Sequence, residues 1–108
     1  MMLCKILFTD SAAKDLEDIY NYISDNDSEG KAIYVMGKIE DRIMRLNKNP
    51  ERGSVVRELS LLGIQEYREI FFKPYRIIYK VIHNTVLIMV ITDGRRDMQA
   101  LLQRRLLK

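Results

Sequence analysis

Tryptophan is absent from this 108-residue chain, histidine and cysteine occur once each, and there are only two prolines and five glycines. Each shortage closes a route. Cys4 alone cannot form an intramolecular disulfide, and with His83 it supplies too few soft ligands for a structural zinc site. No metal and no cofactor is expected. Nor is there an apolar run near the roughly 20 residues that cross a bilayer. Residues 3–8 (Leu-Cys-Lys-Ile-Leu-Phe) follow the start Met without a basic leader or cleavage site, so a cytoplasmic protein with no membrane partner is expected. Cys4 reads as a small buried hydrophobe in that strand-like run. The length suits one domain, residues 1–108, with a real core but no room for two cores and a cleft between them.

Charge is present in excess, and unevenly. Residues 67–108 hold nine Lys/Arg (Arg68, Lys73, Arg76, Lys80, Arg95, Arg96, Arg104, Arg105, Lys108) against three acids (Glu69, Asp93, Asp97), a balance of +6. The first 66 residues hold nine bases and twelve acids, so the whole-chain +3 conceals a lopsided molecule. A field of one sign steers and holds anionic partners.

Hydrophobic periodicity sets the elements. Leu3 to Phe8 reads as a strand, and Thr9-Asp10-Ser11 can cap a helix over about 11–25, where Leu16, Ile19, Tyr20 and Ile23 form one stripe. Asp25 to Ser28 is a turn and a second cap. Ala32, Val35, Met36, Ile39, Ile43 and Leu46 share the face of a second helix, expected to stop at Asn49 before Pro50. The short connection implies an antiparallel helix hairpin. From Val55 the period becomes strand-like, giving strands over Val55–Leu59, Tyr67–Phe72, Arg76–Ile82 and Thr85–Ile91, with His83-Asn84 as a hairpin turn. Asp97 is the expected N-cap of a last helix carrying Met98, Leu101, Leu102 and Leu106 on its apolar side; at this length it must either dock on the domain or be only partly ordered. The fold class is α+β: an N-terminal strand, a helix hairpin on one face of a small antiparallel sheet, and a short C-terminal helix.

That arrangement has a consequence for charge. Tyr75, Ile77, Tyr79 and Val81 point one way along their strand, and Arg76, Ile78, Lys80 and Ile82 the other. If the hairpin buries the Tyr79 side, Arg76 and Lys80 stand on the open side, joined by Arg68 in the matching register. The alternative is that Arg76 merely pairs with Glu69 or Glu66 across the strands.

In combination, the ordered elements carry a resemblance. Ala12-Ala13-Lys14-Asp15-Leu16-Glu17-Asp18-Ile19 to Tyr22-Ile23, then Leu46 to Pro50 with Gly53, Arg68, Tyr75-Arg76-Ile77-Ile78-Tyr79 and Gly94-Arg95-Arg96-Asp97 resemble the RelE/ParE toxin superfamily over nearly the whole chain. The resemblance implies the toxin half of a bacterial type II toxin–antitoxin module, with a cognate antitoxin as partner and a hetero-oligomer with it. It also implies one of two activities: ribosome-dependent cutting of mRNA, as in RelE-type toxins, or poisoning of DNA gyrase, as in ParE-type toxins.

Chemistry bears on that choice. Cleaving RNA through its own 2′-hydroxyl needs a base, a proton donor and cations. Arg68, Arg76, Lys80 and Arg95 would be the cations, but the end of the last strand and the C-terminus lack the His or Tyr common in RelE-type members. His83 is the only imidazole, and it falls in a turn at the opposite end of the strand from Arg96. Glu58, Glu66 and Asp93 are acids that could serve as base. The run Gly94-Arg95-Arg96-Asp97 followed by Leu101-Leu102-Gln103-Arg104-Arg105 resembles ParE-type tails, which makes Arg95, Arg96, Arg104 and Arg105 the expected target-binding residues. Asp93 departs from a His often found before the Gly, and places an acid beside the Arg pair. A gyrase inhibitor is favoured, with a nuclease and a non-toxic antitoxin-binding co-repressor as alternatives.

Overall fold

The structure, a computed structural model, describes residues 3–107. Lys108, counted above among the tail bases, lies outside them. In chain order the elements are β1 (Lys5–Phe8), α1 (Asp10–Asn26), α2 (Glu29–Met44), a 3-10 turn (Arg45–Asn47), β2 (Ser54–Val55), α3 (Arg57–Ser60), β3 (Tyr67–Phe72), β4 (Tyr75–Ile82), β5 (Thr85–Asp93) and α4 (Met98–Leu106). Three helix starts follow from side-chain caps. Thr9 Oγ1 accepts from the Ala12 amide at 3.0 Å, Ser28 Oγ from Lys31 at 3.0 Å, and Asp97 from Ala100 at 3.1 Å. The second helix ends sooner than Asn49, tightening into the 3-10 turn after Met44.

The sheet order is β1-β5-β4-β3-β2. β1 lies parallel to β5 and the other pairs are antiparallel, so the sheet is mixed. A strand over Val55–Leu59 is not what forms: pairing stops at Val55, and Arg57–Ser60 winds into a helical turn. The reason is packing. Val56 and Leu59 are both buried in the same cluster beneath α4, whereas an extended chain would point residues three apart to opposite faces.

The helix hairpin covers one face as expected. Ile23, Val35, Ile39, Ile43 and Leu46 pack with Ile77 and Tyr79, and Leu16, Ile19, Tyr20 and Val81 complete the layer as partly buried neighbours. The other face is not open. α3 and α4 bring Val56, Leu59, Met98, Leu101 and Leu102 onto Ile78, Val90 and Tyr67 as a second core. A bulge lies between these layers: Ile78 pairs with Val90 and Tyr79 with Ile88, leaving Met89 as the extra residue.

Tyr79 fastens the loop after α2 to the sheet. Its hydroxyl donates to the Pro50 carbonyl at 2.7 Å and accepts from the Gly53 amide at 2.9 Å. Gly53 fits there because it has no side chain; a Cβ would stand 2.6 Å from the Glu69 carbonyl oxygen. Burial raises the Tyr79 phenol above its ordinary pKa, so it stays a donor. Tyr79→Phe leaves a buried N–H and a carbonyl without their partner, at an expected cost of about 1–3 kcal/mol. Urea unfolding measures it, and a wild-type midpoint would show that the loop needs no such tie.

Candidate functional site

Arg76 is the centre of the cation set read from sequence, and it is enclosed. Its Nη1 and Nη2 donate to the two carboxylate oxygens of Glu58 at 2.8 Å each, and its Nε donates to Glu69 at 2.7 Å. The Arg76 side chain is only 13% exposed and that of Glu69 only 6%. The Glu58 hydrogen bonds raise the Arg76 pKa further above its ordinary value, and Arg76 in turn holds the Glu58 carboxyl below the usual range. Burial pushes Glu69 the other way, upward, against the pull of Arg76. Gly94 makes room for the arm: a Cβ there would meet Arg76 Cδ at 2.7 Å. The expectation of Arg76 on an open face is therefore corrected. It braces α3 to β3 and β4, with Glu58, which the strand reading of 55–59 had placed wrongly, as its main partner.

Arg68 does not join Arg76. Arg68 lies opposite Tyr79, while Phe71 lies opposite Arg76, so the register puts the two arginines on opposite faces. Arg68 donates to the Gly53 carbonyl at 2.7 Å and lies 3.4 Å from the Glu51 carboxylate. Lys80 is on the Arg76 face, 3.7 Å from Glu66 and 5.5 Å from the centre of the Tyr67 ring.

The tail arginines divide. Arg95 is exposed and chelates Asp93 from backbone and side chain, with the shortest contact 2.6 Å; this pairing holds the Asp93 carboxyl below its ordinary range. Arg96 and Arg104 are exposed. Arg105 is not available in the way expected. It forms a two-pronged pair with Asp15 of α1 at 2.9 and 3.0 Å and donates to the carbonyl of the bulge residue Met89 at 3.0 Å. Asp15 also accepts from the Ile91 amide at 2.9 Å. β1 pairs only with Thr85–Ile88, so Asp15 and Arg105 together cap the stretch of β5 that β1 leaves uncovered. Sequence reasoning assigned neither residue this part, since nothing local links positions 90 residues apart.

Arg95 and Arg96 border an open groove of about 510 Å³ between α1 and the end of β5, which Asp15, Asp18, Tyr22 and Tyr75 also line. Its charge is mixed, which suits a protein surface better than a phosphate chain. His83 is exposed in the β4–β5 turn with φ 54°. At about 3.3 Å of rise per residue it stands on the order of 30 Å from Arg95. Arg68, Arg76, Lys80 and Arg95 each have a carboxylate within ion-pair distance: Glu51, Glu58 with Glu69, Glu66 and Asp93. Among the described residues no cluster of His, Cys, Asp and Glu could hold a metal ion, and no helix is long and apolar enough to cross a membrane.

A five-stranded sheet with a helix hairpin on one face and a short helix on the other is the fold of the RelE/ParE toxins. It superposes on the chromosomal ParDE toxin–antitoxin system from P. aeruginosa with a TM-score of 0.70 at 18% identity, covering 84% of this chain and 96% of that one. The toxin–antitoxin complex RelBE2 from Mycobacterium tuberculosis gives 0.62 at 20% identity, covering 86% and 93%. A mutant of the E. coli toxin RelE in the free state gives 0.64 at 16% identity, covering 97% and 100%. No curated protein matches in sequence. Residues 6–98 match the family described as ParE toxin of type II toxin-antitoxin system, parDE. The chain belongs to that family.

Proposed function

We propose that this toxin acts by binding and inhibiting DNA gyrase, not by cutting RNA, and that a cognate antitoxin neutralises it in a hetero-oligomer. The observation that carries this reading is the Arg76 cluster. A nuclease of this plan would draw on Arg76 to stabilise phosphate charge, yet here one guanidinium sits between two carboxylates. The cluster is net negative when all three ionise, so it repels the charge that it would have to receive. The ParE family match and the mixed-charge groove bordered by the exposed Arg95 and Arg96 favour a protein target, and Arg104 is a further exposed tail arginine. The antitoxin follows from the family, and two of the similar structures are described as toxin–antitoxin assemblies.

The purified toxin should inhibit supercoiling by gyrase, and its induction should raise the SOS response while transcripts stay intact. Adding antitoxin should reverse both. Cuts at codon boundaries in mRNA, with supercoiling unaffected, would replace this reading with the ribosome-dependent nuclease; growth unaffected by induction would leave the co-repressor.

A further inference from the structure

β1 is an edge of the sheet, with β5 on its inner side only. The backbone bonds show which way each of its residues turns. Lys5 donates to the Asn84 carbonyl at 2.9 Å and Thr9 to that of Ile88 at 3.1 Å, so Lys5, Leu7 and Thr9 turn their N–H groups toward β5, and alternation turns the N–H and carbonyl of Ile6 and Phe8 outward. Among the described residues no strand or loop hydrogen bond meets these outward groups. The next outward amide, that of Cys4, is taken: it donates to the Asn47 carbonyl at 2.8 Å. The open lane therefore runs only from Ile6 to Phe8, closed at one end by Asn47 and at the other by the turn of the chain into α1 at Asp10. Apolar side chains stand along it. Leu7 is 52% and Phe8 39% exposed. Ile6 packs against the hairpin core, so Leu7 lies on the opposite face, beside Leu87, its register partner in β5. The cluster beneath α4 takes in Ile78 and Val90 but neither of these leucines. An apolar edge strand with unmet backbone groups is a template for another strand.

We propose that β1 is a self-association edge, on which a second copy of this chain lays its own β1 antiparallel across a two-fold axis at Leu7. Ile6 then exchanges both hydrogen bonds with the partner's Phe8, and Phe8 with the partner's Ile6, so every outward group in the lane is met. Leu7 faces the partner's Leu7 in the close, non-hydrogen-bonded pairing, which continues the row of Leu87 and Leu7 from one sheet into the other. Lys5 falls opposite the partner's Thr9, so no like charges stand face to face. The shortness of the lane selects this occupant. A longer foreign strand would run past Lys5 into the place that Asn47 holds beside Cys4, whereas the partner's chain leaves the strand at its helix cap, Thr9, and turns into α1. An interface of this size belongs at the weak end of specific association, so monomer and dimer exchange with concentration. Self-pairing goes beyond the gyrase reading and does not depend on it.

Sedimentation velocity of the whole chain over a rising concentration series, up to the millimolar range, is the test. Wild type should pass from monomer to dimer, and the Ile6 and Phe8 amides should gain protection from hydrogen exchange in step. That exchange measurement needs no variant. Leu7→Lys and Leu7→Glu each change an exposed side chain, so each should unfold as wild type does. Either one alone sets like charges against each other at the axis and should weaken dimerisation at least about tenfold. An equimolar mixture of the two should recover it as a heterodimer, because only a two-fold pairing centred on Leu7 opposes one substitution with the other. Wild type that stays monomeric throughout, a dimer indifferent to both substitutions, or a mixture that associates no better than either variant alone would each overturn the proposal. So would Ile6 and Phe8 amides protected by an added peptide of about ten residues alternating Val and Thr but not by raising the protein concentration, which would give the edge to a foreign strand. None of these readouts involves toxicity, so this proposal and the gyrase reading fail separately.

Discussion

Arg76→Ala is expected to destabilise the fold by about 3–5 kcal/mol, because it strands a buried carboxylate instead of merely removing a surface cation. At 6% exposure and beside Glu58, Glu69 would have to carry an unpaired charge or take up a proton once no guanidinium lies between them. The β3–β4 sheet and α3 would lose their common fastener, and the space under Gly94 that the Arg76 arm fills would empty. Neutralising the whole cluster is a different experiment. Arg76→Met with Glu58→Gln and Glu69→Gln leaves no uncompensated charge and should recover much of the loss, as replacing all the members of a buried ionic group commonly does. Urea midpoints of the two variants make the comparison. If Arg76→Ala unfolds at the wild-type midpoint, the cluster is not a structural brace, and an effect of that substitution on toxicity would again point to a phosphate-facing cation.

The sequence displayed the helix hairpin and the strands because both are written in local pattern: the stripe Leu16, Ile19, Tyr20, Ile23, the caps Thr9, Ser28 and Asp97, and the alternation through Tyr75–Ile82. It did not display what depends on register. A one-residue difference in how β3 lies on β4 decides whether Arg68 shares a face with Arg76, and the chain alone does not contain that difference. α3 was missed because four residues carry too little period to distinguish a helical turn from a strand. The distant pairs were beyond reach for a related reason. Arg105 with Asp15, and Arg76 with Glu58, are brought together by sheet order and by α4 docking, so the formal count of +6 for residues 67–108 greatly overstates the free positive surface of that segment.

Deleting residues 98–108 is expected to unfold the protein, and so to abolish toxicity for a reason unconnected with any target. Met98, Leu101 and Leu102 are each at most 5% exposed, packed on Val56, Leu59, Ile78 and Val90. At about 1.5–3 kcal/mol for each fully buried apolar side chain, their removal forfeits roughly 5–9 kcal/mol, comparable with the whole stability of a small domain, about 5–15 kcal/mol. The deletion also removes Arg105, which leaves Asp15 without its partner and the Met89 carbonyl without its donor. Circular dichroism should show loss of cooperative unfolding, and proteolysis should reach β5. A truncated chain that still unfolds with wild-type cooperativity would mean that the second core is dispensable, which the packing of Ile78 and Val90 opposes. The target question therefore belongs to side chains that can be changed without touching the core. Arg95→Ala, Arg96→Ala and Arg104→Ala alter exposed positions, where a substitution usually moves stability by no more than about 0.5 kcal/mol. If the gyrase reading holds, the triple variant should keep its unfolding midpoint and lose inhibition of supercoiling; a folded triple variant with undiminished inhibition would move the target-binding surface elsewhere on the molecule.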